Sequence, residues 1–266
     1  MSHSEYADYL AFACRVAAAA GAAILPHFRR AIAVEDKGGK RDYDPVTEAD
    51  RSAESLIRDE IARAYPTHGI FGEELGRTRG ASPLTWVIDP IDGTRSFILG
   101  QLHWGTLIAL HDGAEPVVGV MHQPFVGETF VGVRGSLAEW RRGVERRALK
   151  TRPCARITDA VVATTDPRHF DAPEKSSAYH RVTDGARLVR YGGDCYCYTL
   201  LAMGQVDIVI ETGLQPYDVQ ALIPIVDQAG GRMTNWQGGP CDDGGDVLAC
   251  GDRGLHAQLL SRIAAT

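Results

Sequence analysis

The stretch WVIDPIDGTRSFILG, Trp86 to Gly100, sets two aspartates three positions apart across a proline and follows them with Gly93-Thr94. Its first part belongs to TWVID, Thr85 to Asp89, which reads as a buried strand because a short apolar run bounded by turn residues suits one. A strand ending at Asp89 presents that carboxylate at the sheet's C-terminal edge. Pro90 and Gly93 then bend the chain so that Asp92 and the carbonyl of Ile91 can turn toward the same point. GTRSFI starts a helix or turn whose first N–H groups are free, and such an end accepts anions. Cation and phosphate would meet at one bend.

Around this centre the chain alternates strands with helices. Tyr9 to Leu25 reads as an N-terminal helix that Pro26 bends or ends. Val34 to Asp50 is polar and loop-like, with Gly38-Gly39 and Pro45 as breakers. From Thr47 a helix is expected, with Ala53, Leu56, Ile57 and Ile61 at helical spacing and Thr47 with Asp50 as a capping box. Gly69 to Leu75 is a short strand entering an acidic turn. Gly105–Gly113 and Pro116–Pro124 form a β-pair turning at Asp112-Gly113, and Glu128–Gly135 adds a strand.

The second half continues with strands at Asp159–Thr165 and Leu188–Asp194. A short helix, Cys195–Gly204, is capped by Asp194 and stopped by Gly204. Val206–Thr212 is a strand, Pro216–Gly231 one helix ended by Gly230-Gly231, and Arg232–Trp236 and Asp246–Gly251 are strands. Strands interleaved with helices imply layered α/β packing, with a soft boundary near residue 145.

Composition narrows the function. A chain of 266 residues can bury a full core. Its net charge of -6 opposes general nucleic-acid binding, which needs clustered Lys and Arg. The one basic run, Arg141 to Lys150, reads as a solvated face. The N-terminal apolar stretch carries Arg15 and lacks both the basic lead of a secretory signal and the clean apolar run of a membrane span. The six cysteines show no paired metal spacing, so reduced thiols in a cytoplasmic protein are expected.

Acids beside turn residues recur in four separate segments: Asp50, Glu73-Glu74, Asp89 with Asp92, and Asp218. Taken singly, each has an ordinary explanation as a turn, a surface pair or a first-turn helix acid. If they converge, mutual repulsion forces them to protonate or to bind cations. An all-oxygen ligand set without His or Cys suits a hard ion such as Mg2+.

DPVTEAD (Asp44–Asp50), GEE (Gly72–Glu74), WVIDPIDGT (Trp86–Thr94) and PYDVQALIPIVDQAGG (Pro216–Gly231) together resemble the inositol monophosphatase superfamily of Mg2+-dependent, lithium-sensitive phosphatases. The resemblance covers nearly the whole chain. It implies an α/β fold, a five-layer α/β/α/β/α sandwich in one domain spanning residues 1–266. Within it would lie a metal-binding lobe to about 145 and an α/β lobe from about 146. A homodimer is the implied assembly.

The same resemblance implies the site. Glu73, Asp89 and the Ile91 carbonyl would hold one Mg2+, Asp89, Asp92 and Asp218 a second, and Glu73 a looser third, with Mn2+ a possible substitute. The backbone of Gly93 and Thr94 would grip phosphate. Asp50 would hydrogen-bond Thr94, while Glu73 and Thr94 would orient the attacking water. Lys37 would add charge nearby.

Arg95-Ser96 after Asp-Gly-Thr, and the segment Val189–Asp218, resemble the histidinol-phosphate phosphatase branch. Histidinol carries an ammonium and an imidazole, so its site should offer acceptors away from the metals. Asp194 and Glu211 fit that need. Arg190 could approach substrate across a subunit contact, and Tyr196 and Tyr198 read as packing residues. The alternatives are an inositol-1-phosphate or 3′-phosphonucleotide phosphatase and, from another class, a Mg2+-binding regulatory protein.

Overall fold

The computed structural model describes residues 3–37 and 45–265. Helix α1 (His3–Ile24) runs into a single 3-10 turn containing Pro26, after which the chain extends at Phe28. By length and composition the segment from Tyr6 to His27 would pass for a membrane span. Here Tyr6, Leu10, Ala13, Ala17 and Ala20, spaced by three or four, are buried in the core instead.

The polar stretch expected as loop holds two short strands at its ends, β1 (Val34–Asp36) and β2 (Pro45–Thr47), paired antiparallel. Residues 38–44 of that stretch lie outside the described residues. Helix α2 (Glu48–Ala64) begins with the expected box: the Asp50 carboxylate accepts from the Thr47 N–H at 2.8 Å. Ala53, Ile57 and Ile61 form its buried face.

The larger sheet follows. Its strands are β3 (Gly69–Gly72), β4 (Gly76–Thr78), β5 (Thr85–Asp92), β6 (Gly105–His111), β7 (Pro116–Gln123), β8 (Glu128–Val133), β9 (Leu137–Arg142) and β10 (Glu145–Ala148), with short helix α3 (Thr94–Ile98) after β5. The spatial order is β10-β9-β8-β7-β6-β5-β3-β4, antiparallel except where β3 runs parallel to β5. The basic run forms the β9–β10 edge hairpin, and all of β10 is exposed, as a solvated face should be.

The second sheet contains β11 (Val161–Thr164), β12 (Leu188–Tyr191), β13 (Ile208–Leu214), β14 (Arg232–Asn235) and β15 (Gly245–Cys250), in the order β12-β11-β13-β15-β14. Its helices are α4 (Pro173–Thr183), α5 (Asp194–Ala202), α6 (Pro216–Val219), α7 (Leu222–Gln228) and α8 (Arg253–Ala264). The single helix expected over Pro216–Gly231 is thus two. Pro224 has no N–H to give the Gln220 carbonyl four residues back, so the ladder breaks there.

Three apolar cores separate five layers. One lies between α1, α2 and the larger sheet, and one holds α5 and α7 between the sheets. The third packs α4 and α8 against the outer face of the smaller sheet. This is the α/β/α/β/α sandwich expected, and Ile225 and Leu222 of α7 share a core with Leu107 and Phe130 of the larger sheet.

Candidate active site

The bend after β5 is a bulge. Asp89 pairs with Leu107 of β6 but Asp92 pairs with Gly105, so three residue steps on β5 meet two on β6. In a regular strand residues three apart face opposite sides. The extra residue reverses the alternation and turns both aspartates to one face. Thr106 Oγ1 donates to the Pro90 carbonyl at 2.8 Å and fixes the bulge. Gly93 then takes φ of 86°, and a side chain there would strike the His103 carbonyl oxygen at 2.5 Å.

Two segments deliver carboxylates to this face. Asp89, Asp92 and Asp218 each offer an oxygen, all within 4.8 Å of one another, a group able to hold a metal ion. Two ionised carboxylates at that separation repel by roughly 3.5 kcal/mol at an effective dielectric near 20. Each acid is locally aimed. Asp89 accepts from the Ile91 N–H at 3.0 Å, Asp92 from the Cys195 N–H at 2.7 Å, and Asp218 from the Gln215 N–H at 2.7 Å. Burial, then Glu73, Asp92 and Asp218, push the Asp89 carboxyl well above the usual range. Burial also raises Asp92, against the opposing bond from Cys195.

Glu73 sits on the acidic turn after β3, and burial lifts it to about 7 despite the nearby Lys37 ammonium. Lys37 Nζ lies 3.1 Å from Glu73 and 2.8 Å from Glu74, so its ammonium is paired with both acids while the residue stays exposed. The turn itself is held by Glu54, which sequence reading missed. Its buried carboxylate accepts from the N–H groups of Glu74 and Leu75 at 2.7 and 3.0 Å and from Arg58 at 2.8 Å. A side chain at Gly72 would meet Glu54 Oε1 at 2.1 Å, so glycine is required there.

One expectation fails locally. Thr94 Oγ1 donates to the Ile91 carbonyl at 3.1 Å, not to Asp50. Asp50 Oδ2 is taken by Thr47, and its Oδ1 is buried without a partner among the described residues. The capping box, satisfied within one turn of helix, outcompetes the longer contact. Burial raises Asp50 to about 6.

A cavity of about 380 Å³ opens beside the cluster, lined by Glu73, Asp89, Ile91, Asp92, Gly93, Thr94 and Asp218 on one side and by Asp194 and Glu211 from the second half. Asp194 does not cap α5 as expected. It is the helix's first residue, held at φ of 43°, and its carboxylate accepts from Ser96 Oγ at 2.8 Å. Burial and Asp92 push it up to about 7. Glu211 is 2% exposed and accepts from Thr165 N–H at 2.6 Å, Thr165 Oγ1 at 2.9 Å and Thr164 Oγ1 at 3.2 Å. Burial lifts it to about 8. Arg190 does not line the cavity; it lies exposed on edge strand β12.

At the mouth Arg95 Nη1 donates to His169 Nε2 at 3.1 Å, linking the two halves of the chain. Burial and the Arg95 charge lower the His169 pKa and keep the ring a neutral acceptor. Arg95 stood out in the sequence by its position; nothing marked His169. The Cys195 thiol also lines the cavity, but burial and Asp92 hold it protonated, which makes it a poor nucleophile.

Comparison with known proteins agrees with this geometry. The inositol monophosphatase family model matches residues 5–265. The chain is 38% identical over 274 residues to the bifunctional phosphatase IMPL2, chloroplastic, of Arabidopsis thaliana, covering 99% of this chain and 77% of that protein. It is 34% identical to a histidinol-phosphatase of Chlorobaculum parvum, covering 96% of each. Among solved structures, an inositol monophosphatase from Zymomonas mobilis superposes with a TM-score of 0.87 at 38% identity over 100% of both chains.

Proposed function

The chain belongs to the inositol monophosphatase family and is a phosphoric monoester hydrolase, and on that premise we propose that it splits L-histidinol phosphate into histidinol and phosphate in histidine biosynthesis. The observation that carries the substrate is the pair Asp194 and Glu211. Both acids line the cavity yet stand apart from the Asp89, Asp92 and Asp218 group, where an ammonium or imidazole would find acceptors. Histidinol-phosphatases among the relatives support the same reading.

The oxygen-only donor set and its mutual repulsion fit Mg2+, with Mn2+ a substitute. Glu73, Asp89 and the Ile91 carbonyl would hold one ion, Asp89, Asp92 and Asp218 another, and Glu73 a third. Such ions neutralise clustered charge and make water more acidic. The chain's own groups do the rest. The N–H groups of Gly93 and Thr94 hold the phosphate, and Glu73 with the Thr94 hydroxyl orients the attacking water. Water forms a new P–O bond as the ester P–O bond breaks; one of that water's protons ends on the departing oxygen and the other stays on the released phosphate. Asp50 acts behind the site by fixing the start of α2. No covalent step is required, and positioning with electrostatics carries the rate.

Phosphate release in Mg2+ tests this. Histidinol phosphate should exceed inositol 1-phosphate by at least about tenfold in kcat/KM, a difference within reach of two buried polar contacts. The reverse preference would support an inositol monophosphatase, the reading favoured by the Zymomonas mobilis likeness. Release from neither ester would return the regulatory reading. The proposal includes lithium inhibition, a homodimer measurable by light scattering, and one domain of two lobes. It also includes a cytoplasmic setting, consistent with six free cysteines, five of them buried.

A further inference from the structure

Tyr198 reads from sequence as a packing residue, and its ring does pack in the core between the sheets. Its hydroxyl is another matter. The residue lines the cavity and is 3% exposed, and the hydroxyl oxygen is buried without a hydrogen-bond partner among the described residues. Buried polar atoms are nearly always paired, and an unpaired one costs about 1–3 kcal/mol. Phenylalanine would fill the same space without that cost.

The surroundings indicate what completes it. Of the ionisable groups acting on the phenol, Glu211 comes first, followed by Cys241 and Asp92. Glu211 is already engaged by Thr164 and Thr165, and no bond to Tyr198 is made. A ligand group reaching both must hydrogen-bond the Glu211 carboxyl and the phenol together. A nitrogen group does this, either as an imidazole with one donor and one acceptor or as an ammonium.

We propose that the Tyr198 hydroxyl is a specificity-determining group, paired only when a nitrogen of the substrate's alcohol half fills the cavity. This rests on the histidinol-phosphate reading above. Tyr198→Phe in the full Mg2+-loaded protein is the test, with histidinol phosphate and phenyl phosphate, which lacks the nitrogen groups. The kcat/KM ratio of the first ester to the second should fall about tenfold, mainly through KM, while the thermal midpoint of the ligand-free variant equals or exceeds that of the parent. An equal loss on both esters, an unchanged ratio, or a lower midpoint overturns the inference. Parental preference between histidinol phosphate and inositol 1-phosphate is measured first. It judges the substrate reading alone, and the variant's ratio of histidinol phosphate to phenyl phosphate is taken whichever ester the parent prefers, so the two failures are separate.

Discussion

Glu211→Gln should stabilise the metal-free protein while weakening substrate recognition. In the fold this carboxyl is raised from 4.5 to about 8, chiefly by burial and against the bonds from Thr165. It therefore holds a proton at pH 7 that the unfolded chain releases. Keeping it costs about 1.4 kcal/mol per pH unit above 4.5, or roughly 3 kcal/mol at pH 7. Because the folded state binds more protons, the penalty is absent below about pH 4.5, grows as pH rises, and levels off near 8. Glutamine has the same shape and is neutral throughout. Its oxygen can accept from Thr165 and its amide can donate to the Thr164 hydroxyl. The variant's advantage should thus widen with pH, reaching a midpoint increase of roughly 6–12 °C at pH 7. Denaturation in EDTA from pH 5 to 8 measures the gap. Parallel curves for parent and variant would refute the argument that burial keeps Glu211 neutral.

Asp89→Asn should reduce phosphate release at least about a thousandfold with an unchanged circular dichroism spectrum, since on the proposed assignment it removes a ligand shared by two ion positions; near-parental turnover would remove Asp89 from the site. Gly72→Ala should cost about 2 kcal/mol or more by urea denaturation, because its Cβ would stand 2.1 Å from Glu54 Oε1. It should also weaken Mg2+ binding, as Glu54 holds the turn bearing Glu73. Thermal unfolding should be one cooperative transition, because α7 of the second half packs on β7, β8 and β9 of the first; two separate transitions would divide the lobes into independent domains.

Much of the architecture was legible because it is written in local patterns. The apolar spacing of α2, its Thr47–Asp50 box and the apolar run of β5 each specify an element within one short window. Helices α4 and α8 went unread, being short and mixed in polarity, and their few buried positions matter only against the smaller sheet. The break between α6 and α7 was present in Pro224 but was outweighed by the periodicity around it.

For the site, residue chemistry singled out Glu73, Asp89, Asp92 and Asp218 as acids beside turns that would demand a cation if they converged, while the family resemblance supplied their roles and led to Asp194 and Glu211. Tertiary structure decided the rest. A bulge counted against β6 puts Asp89 and Asp92 on one face, and a helix from the other half brings Asp218 to them. The same folding leaves Arg190 outside and sets Glu54 behind the acidic turn. Ionic and hydrogen-bonding needs belong to each residue, but which partner meets them depends on distances set by packing between segments far apart in the chain.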